Sequence, residues 1–94
     1  MNKQKLRYAM LKEIENGKEE ISAKSFEISH DDFAEQAIFL KREGYITNYC
    51  KGDNIIWLEK GKTRLTQAGE NYLQENSTIG KSYKLAKEIR DWMK

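Results

Sequence analysis

A chain of 94 residues is the size of one domain, and at this length it buries only somewhat more than ~60% of its extended-chain surface, leaving little apolar area for a deep pocket. Its hydrophobic fraction of 38% is low and its charged fraction of 34% is high, but two Trp, five Tyr and three Phe argue for a folded core rather than disorder. One cysteine and one histidine exclude an intramolecular disulfide and the usual cysteine-based zinc site, and no apolar run exceeds four residues, so no cofactor, metal, membrane span or signal-peptide core is expected and the expected location is the cytoplasm.

Lys3 to Asn16 reads as a first helix, because Leu6, Ala9 or Met10, and Ile14 fall on one stripe, and Asn16-Gly17 ends it. Ile21 is an isolated apolar residue suited to the edge of a small sheet. Ser22 is placed to cap a second, very short helix over Ala23 to Glu27, with Phe26 and Ile28 supplying its apolar contacts. The third helix is the best defined. Over Asp31 to Glu43, Phe33, Ala37 and Leu40 recur at i, i+4 and i+7, with Ile38 beside them. Ser29 is placed as its cap, Asp31 and Asp32 suit its positive end, and Lys41 and Arg42 suit its negative end. Gly44 is placed to take the left-handed conformation that stops it. Short helix, tight turn, longer helix is helix-turn-helix spacing.

Strand-forming residues follow at Tyr45 to Cys50 and again at Ile55 to Leu58, with Lys51-Gly52-Asp53-Asn54 as the hairpin turn between them. Alternation along the first run sets Tyr45, Thr47 and Tyr49 on one side and Ile46, Asn48 and Cys50 on the other. A second turn, Lys60-Gly61-Lys62, leads either to a further short strand at Thr63 to Leu65 or straight out of the hairpin. Thr66 is placed as the N-cap of a fourth helix with Leu65, Tyr72 and Leu73 as its apolar residues. Gly69 inside that helix costs about 1 kcal/mol relative to alanine, which implies close packing against a neighbouring backbone. A last helix, about 78–94, keeps Ile79, Tyr83, Ala86 and Trp92 or Met93 at helical spacing, so it requires a partner surface within the domain or on a second subunit. The expected fold class is α+β: a winged helix, meaning a helix-turn-helix plus a small antiparallel hairpin wing, with an extra C-terminal helix, all in a single domain 1–94.

Charge divides along the chain. Residues 1–12 carry four basic groups and no acid, residues 13–43 carry nine acids against four bases, and residues 44–94 carry nine bases against six acids. A recognition helix would present Asp31, Asp32, Glu35 and Gln36 to DNA, and of these only Gln36 is a neutral base-reader. Three carboxylates near a polyanion oppose that use, and the helix is equally read as a scaffold with a solvated acidic face. Phosphate contacts are assigned instead to Lys51 on the wing, to Lys60, Lys62 and Arg64 around the second turn, and to a basic arm of Lys3, Lys5 and Arg7; the same residues are also read as ordinary solvated cations. Tyr45, Tyr49 and Trp57 are read as core or subunit contacts ahead of base-stacking residues. His30 is read as a surface capping residue and Cys50 as a partly buried strand residue, since neither has a catalytic constellation around it, and no enzymatic activity is expected. Tyr83, Trp92 and Met93 are candidates for partner or dimer contact.

The segments Leu40-Lys41-Arg42-Glu43-Gly44-Tyr45-Ile46 and Leu65-Thr66-x-x-Gly69-x-x-Tyr72-Leu73 look like those by which many winged-helix regulators are recognised. The whole chain, from Asn2-Lys3-x-Lys5-Leu6-Arg7-Tyr8 through Gly69-Glu70-Asn71-Tyr72-Leu73 to Lys87-Glu88-Ile89-x-Asp91-Trp92, resembles the YjcQ family of small proteins from Gram-positive bacteria and their prophages. The resemblance implies a cytoplasmic winged-helix domain in a phage-related setting and carries over no catalytic motif. Two functions are therefore expected. The first is a small DNA-associated or transcription-regulator-like protein that takes double-stranded DNA. The alternative is a winged-helix-derived adaptor that binds a protein partner or a second copy of itself, and not DNA.

Overall fold

The computed structural model describes residues 2–81. Among these the architecture is α+β. Five helices, α1 (Lys3–Glu15), α2 (Ala23–Phe26), α3 (His30–Arg42), α4 (Gln67–Glu75) and α5 (Ser77–Gly80), accompany three strands, β1 (Glu20–Ile21), β2 (Cys50–Gly52) and β3 (Ile55–Glu59). The strands form one antiparallel sheet in the order β1-β3-β2, an arrangement compatible with the expected winged helix.

Helix α1 lies at the centre. Its cap is Asn2, whose Oδ1 accepts from the Lys5 N–H at 3.0 Å. Leu6, Ala9, Met10 and Leu11 are fully enclosed, Tyr8 is nearly so, and α3, α4, α5 and β1 all pack on this helix. More of its circumference is apolar than a single stripe, as befits a helix covered on several sides. Phe26 of α2 stacks on Phe33 of α3 with ring centroids 6.3 Å apart, which ties the short helix to the long one.

Helix α3 starts and stops as its sequence dictates. Ser29 Oγ accepts from the Asp32 N–H at 3.1 Å. At the other end Gly44 has φ +78°, and the Tyr45 N–H reaches the Leu40 carbonyl at 2.9 Å while the Gly44 N–H reaches that of Lys41 at 3.0 Å. These two bonds define a Schellman motif, and only a residue free to adopt positive φ completes it without strain.

The strand expected over Tyr45 to Cys50 is not formed. Tyr45 and Ile46 are drawn to the segment before α4 instead: Ile46 bridges Leu65, the Thr47 N–H donates to the Arg64 carbonyl at 3.0 Å, and the Thr66 N–H donates to the Tyr45 carbonyl at 3.1 Å. Pairing with β3 begins only at Cys50, which faces Trp57 in register. It then continues to Gly52 because the turn takes two residues rather than four. Asp53 and Asn54 both have positive φ, +51° and +64°, the requirement of a tight turn whose twist matches the strands. Alternation therefore does not sort residues 45–49. Ile46 is buried, Tyr45 and Tyr49 are half-buried, and Thr47 and Asn48 are exposed. Thr63 and Leu65 make isolated bridges rather than a strand.

Thr66 caps α4, its Oγ1 accepting from the Gly69 N–H at 3.1 Å, and its hydroxyl donates to the Gly44 carbonyl. Gly69 lies flat on residue 45: a Cβ there would fall well inside contact distance of the Tyr45 carbonyl oxygen. The close backbone packing expected of Gly69 is present. Of the last expected helix, Ser77–Gly80 is helical and residues 82–94 lie outside the described ones.

Gly69→Ala should destabilise the domain by about 1–3 kcal/mol through overpacking, although alanine is the better helix former by about 1 kcal/mol. Urea denaturation measures this, and a neutral or stabilising result would mean that α4 does not lie on the Tyr45 carbonyl.

Candidate functional site

The outward stripe of α3 is Asp31, Glu35, Ile38 and Arg42, all exposed, while Phe33, Ala37 and Leu40 face inward. Gln36, expected outward as a base-reader, is fully buried, with Oε1 accepting from Arg7 Nε at 2.6 Å. The spacing carried that signal: Gln36 lies three residues after Phe33 and four before Leu40, within the inward stripe. Arg7 is correspondingly no free arm. It is half-buried, and its guanidinium lies over the Phe39 ring, 3.7 Å from the centroid.

The candidate phosphate-binding residues fall into separate groups. Lys3 of α1 pairs with Glu35 of α3 at 3.1 Å, and Lys5 is half-buried on α1. Around the second turn, Lys62 bonds Glu59 at 2.9 Å and Lys60 lies 3.8 Å from Glu19. The Lys62 ammonium holds the Glu59 carboxyl below the usual carboxylate range and is itself raised by that carboxylate. These exposed pairs are individually weak, but they cancel the loop's local field. Lys60 also sits beside Gly17, just past the far end of α1 from Lys3. The two basic groups are thus separated by about the length of that helix, ~20 Å, and form no continuous stripe. Lys51 and Arg64 are exposed and make no ion pair among the described residues.

Of the aromatic candidates, Tyr45 and Tyr49 pack against the core. Tyr45 packs on Tyr72 with centroids 5.0 Å apart, Lys41 lies 5.3 Å above the Tyr49 ring, and Trp57 is half-buried against Gly52. Burial pushes the Tyr72 phenol above its ordinary value. Cys50 is the half-buried strand residue expected. Tyr83, Trp92 and Met93, the candidates for partner or dimer contact, lie outside the described residues. Among the described residues no group of three or more His, Cys, Asp or Glu side chains is placed to hold a metal ion, and no helix is long and apolar enough to cross a membrane.

A cleft of about 560 Å³ opens between α2, the start of α3 and the hairpin tip. Ile28, Ile55 and Trp57 line its apolar part, with Glu20, Asp53 and Lys24 around them. Ile55 is 51% exposed, more than any other large hydrophobic side chain among the described residues. Strand alternation explains it: Ile56 and Leu58 turn inward to the core, so Ile55 and Trp57 turn outward. His30 forms one wall, and its role differs from capping. Its Nε2 accepts from the Ile56 N–H at 2.9 Å, so in the neutral ring the proton sits on Nδ1, which lies 3.9 Å from the Asp31 carboxylate. β1 pairs only with Glu59 and Leu58, leaving the Ile56 amide beyond its reach, and the imidazole takes the place of the missing strand. Sequence reading missed this contact because it joins residues 26 apart with no local signature.

His30→Ala should expose the Ile56 amide, speed its hydrogen exchange and lower stability by about 1–3 kcal/mol. Unchanged exchange at Ile56 would mean that the imidazole is not its acceptor.

No solved structure matches the chain. A protein of Bacillus subtilis (strain 168) bearing the name "Uncharacterized protein YjcQ" is 49% identical over 94 residues, covering 100% of each chain. The model of the YjcQ protein family matches residues 3–92, so that the central helix, the buried Gln36, the hairpin and the Gly69 contact all fall within the match and the chain belongs to the YjcQ family.

Proposed function

We propose that the chain is a protein-interaction domain built on a winged-helix frame, with the outer face of α3 and the adjoining hairpin cleft as its contact surface. The element order and the β1-β3-β2 sheet support the frame. One observation carries the choice of function. On the helix that would enter a DNA groove, the exposed N-terminal half is Asp31 and Glu35 with half-buried Asp32, while the neutral base-reader Gln36 is buried. Carboxylates so placed repel phosphates, and the candidate phosphate-binding cations Lys3, Lys60 and Lys62 are each matched by an acid. What remains is an apolar cleft with an exposed isoleucine, which suits a protein partner better than a polyanion.

The unpaired Lys51 and Arg64 favour a second reading, in which the hairpin and the segment before α4 contact DNA phosphates without reading sequence. Fluorescence anisotropy with random-sequence duplex DNA at low salt separates the two. The interaction reading predicts no binding by the wild type, and salt-sensitive binding once Asp31→Lys and Glu35→Lys reverse the face. Binding by the wild type that disappears in Lys51→Ala/Arg64→Ala would sink the interaction reading and establish the second one. A photo-crosslinking residue at position 55 should capture a protein inside cells, whereas one at the exposed Glu75 of α4 should not; no capture at 55 would count against the cleft.

A further inference from the structure

A second cleft, of about 330 Å³, lies between α1 and α3 and is lined by Arg7, Glu35, Gln36, Ile38, Phe39 and Arg42. Its polar groups are unequally satisfied. Arg7 spends its Nε on the neutral Gln36 Oε1 and its face on Phe39, and no carboxylate pairs with it among the described residues. A half-buried guanidinium is normally matched by an anion. Because Oε1 is committed to Arg7, the other end of the Gln36 amide must be the NH2 donor, and that Nε2 is buried with no partner among the described residues. Arg42 lies over the same Phe39 ring at 5.4 Å, and among the described residues it pairs with only its chain neighbour Glu43, at 3.8 Å. Among the described residues the one carboxylate lining the cleft, Glu35, is held by Lys3. Every unmet polar group here is therefore a donor.

We propose that the α1–α3 cleft receives a carboxylate side chain from an acidic, apolar peptide segment of a partner protein. The carboxylate would pair with the terminal nitrogens of Arg7, whose Nε the buried Gln36 amide holds in place, with Arg42 neutralising it from the rim. Ile38, 42% exposed, and the Phe39 ring supply the apolar contact beside it. The charge pattern selects a single carboxylate over nucleic acid. A phosphate backbone lying along α3 would meet Asp31 as well as Glu35, whereas one side chain stays clear of Asp31 and meets only Glu35, whose charge Lys3 already pairs. The proposal rests on the protein-interaction reading but names a site apart from the hairpin cleft.

The test is a titration of 15N-labelled protein with acetyl-Leu-Glu-Leu-amide, following the Gln36 side-chain NH2 and the Arg7 Nε–H by NMR. The same peptide with Gln in place of Glu, and inorganic phosphate, are the comparators. The expected result is a saturable shift of both side-chain signals with the Glu peptide, and binding about tenfold or more weaker for the neutral peptide. Gln36→Glu, which places a carboxylate inside the cleft, should abolish peptide binding while the backbone spectrum stays that of a folded protein. Arg42→Ala, on an exposed position, should weaken binding several-fold. No shift, equal shifts with the neutral peptide, or a response to phosphate but not to the Glu peptide would each overturn the proposal. The DNA titration is read independently, so failure here leaves the wider interaction reading standing.

Discussion

The backbone at Gly44 and Tyr45 is the constraint on which the arrangement depends. A left-handed glycine closes α3, which turns the Tyr45 carbonyl toward the segment that returns from the hairpin. That oxygen takes the Thr66 amide, and Gly69 lies against it where no side chain fits. The Thr66 hydroxyl fastens the same corner by bonding the Gly44 carbonyl while it caps α4. Three glycine and threonine positions thus seat α4 at the end of α3, and Tyr72 comes to rest on Tyr45 as a result. The hairpin is held at both its ends by this corner and by His30, so the face it shares with α2 is set by the backbone rather than by loop chance.

Electrostatics then divides the surface. The outer face of α3 is acidic at its start and basic at its end, in the sense that the helix dipole favours, with Ile38 between. The two clefts sit on either side of that gradient. The hairpin cleft is mainly apolar with charges of both signs around it, and the α1–α3 cleft holds unsatisfied donors. A chain of near-zero net charge can in this way offer two surfaces of opposite preference, which suits recognition by a partner more than attraction to a uniform polyanion.

Much of the frame was legible because it follows local rules. The caps at Ser29 and Thr66, the stop at Gly44 and the apolar stripe of α3 all depend on residues within a turn or two of one another, while Gly69 was legible only as a glycine inside a helix, its partner at Tyr45 lying far off in the chain. What escaped reading depends on residues far apart. Tyr45 to Tyr49 look like a strand by composition, but Leu65 and Thr66 compete for their backbone. Gln36 is polar and so reads as exposed, yet Arg7, 29 residues away, makes its burial tolerable. The basic arm read from Lys3, Lys5 and Arg7 dissolves for the same reason, since helical phase turns Arg7 onto Phe39 and leaves Lys3 at Glu35. The candidate site was therefore seen as a set of charges, and its actual geometry came from pairs that only the fold brings together.

The bond from the Ile56 amide to His30 also bears on how the protein behaves in a crowded solution. A strand whose flank carries free amides is a template on which a stretch of another chain can add itself, and from there larger aggregates grow. β1, only two residues long, shields little of that flank. The imidazole occupies the next donor, that of Ile56. An isoleucine at the hairpin tip can consequently remain in water for a side-chain contact while the flank of β3 beside it offers no free amide at Ile56.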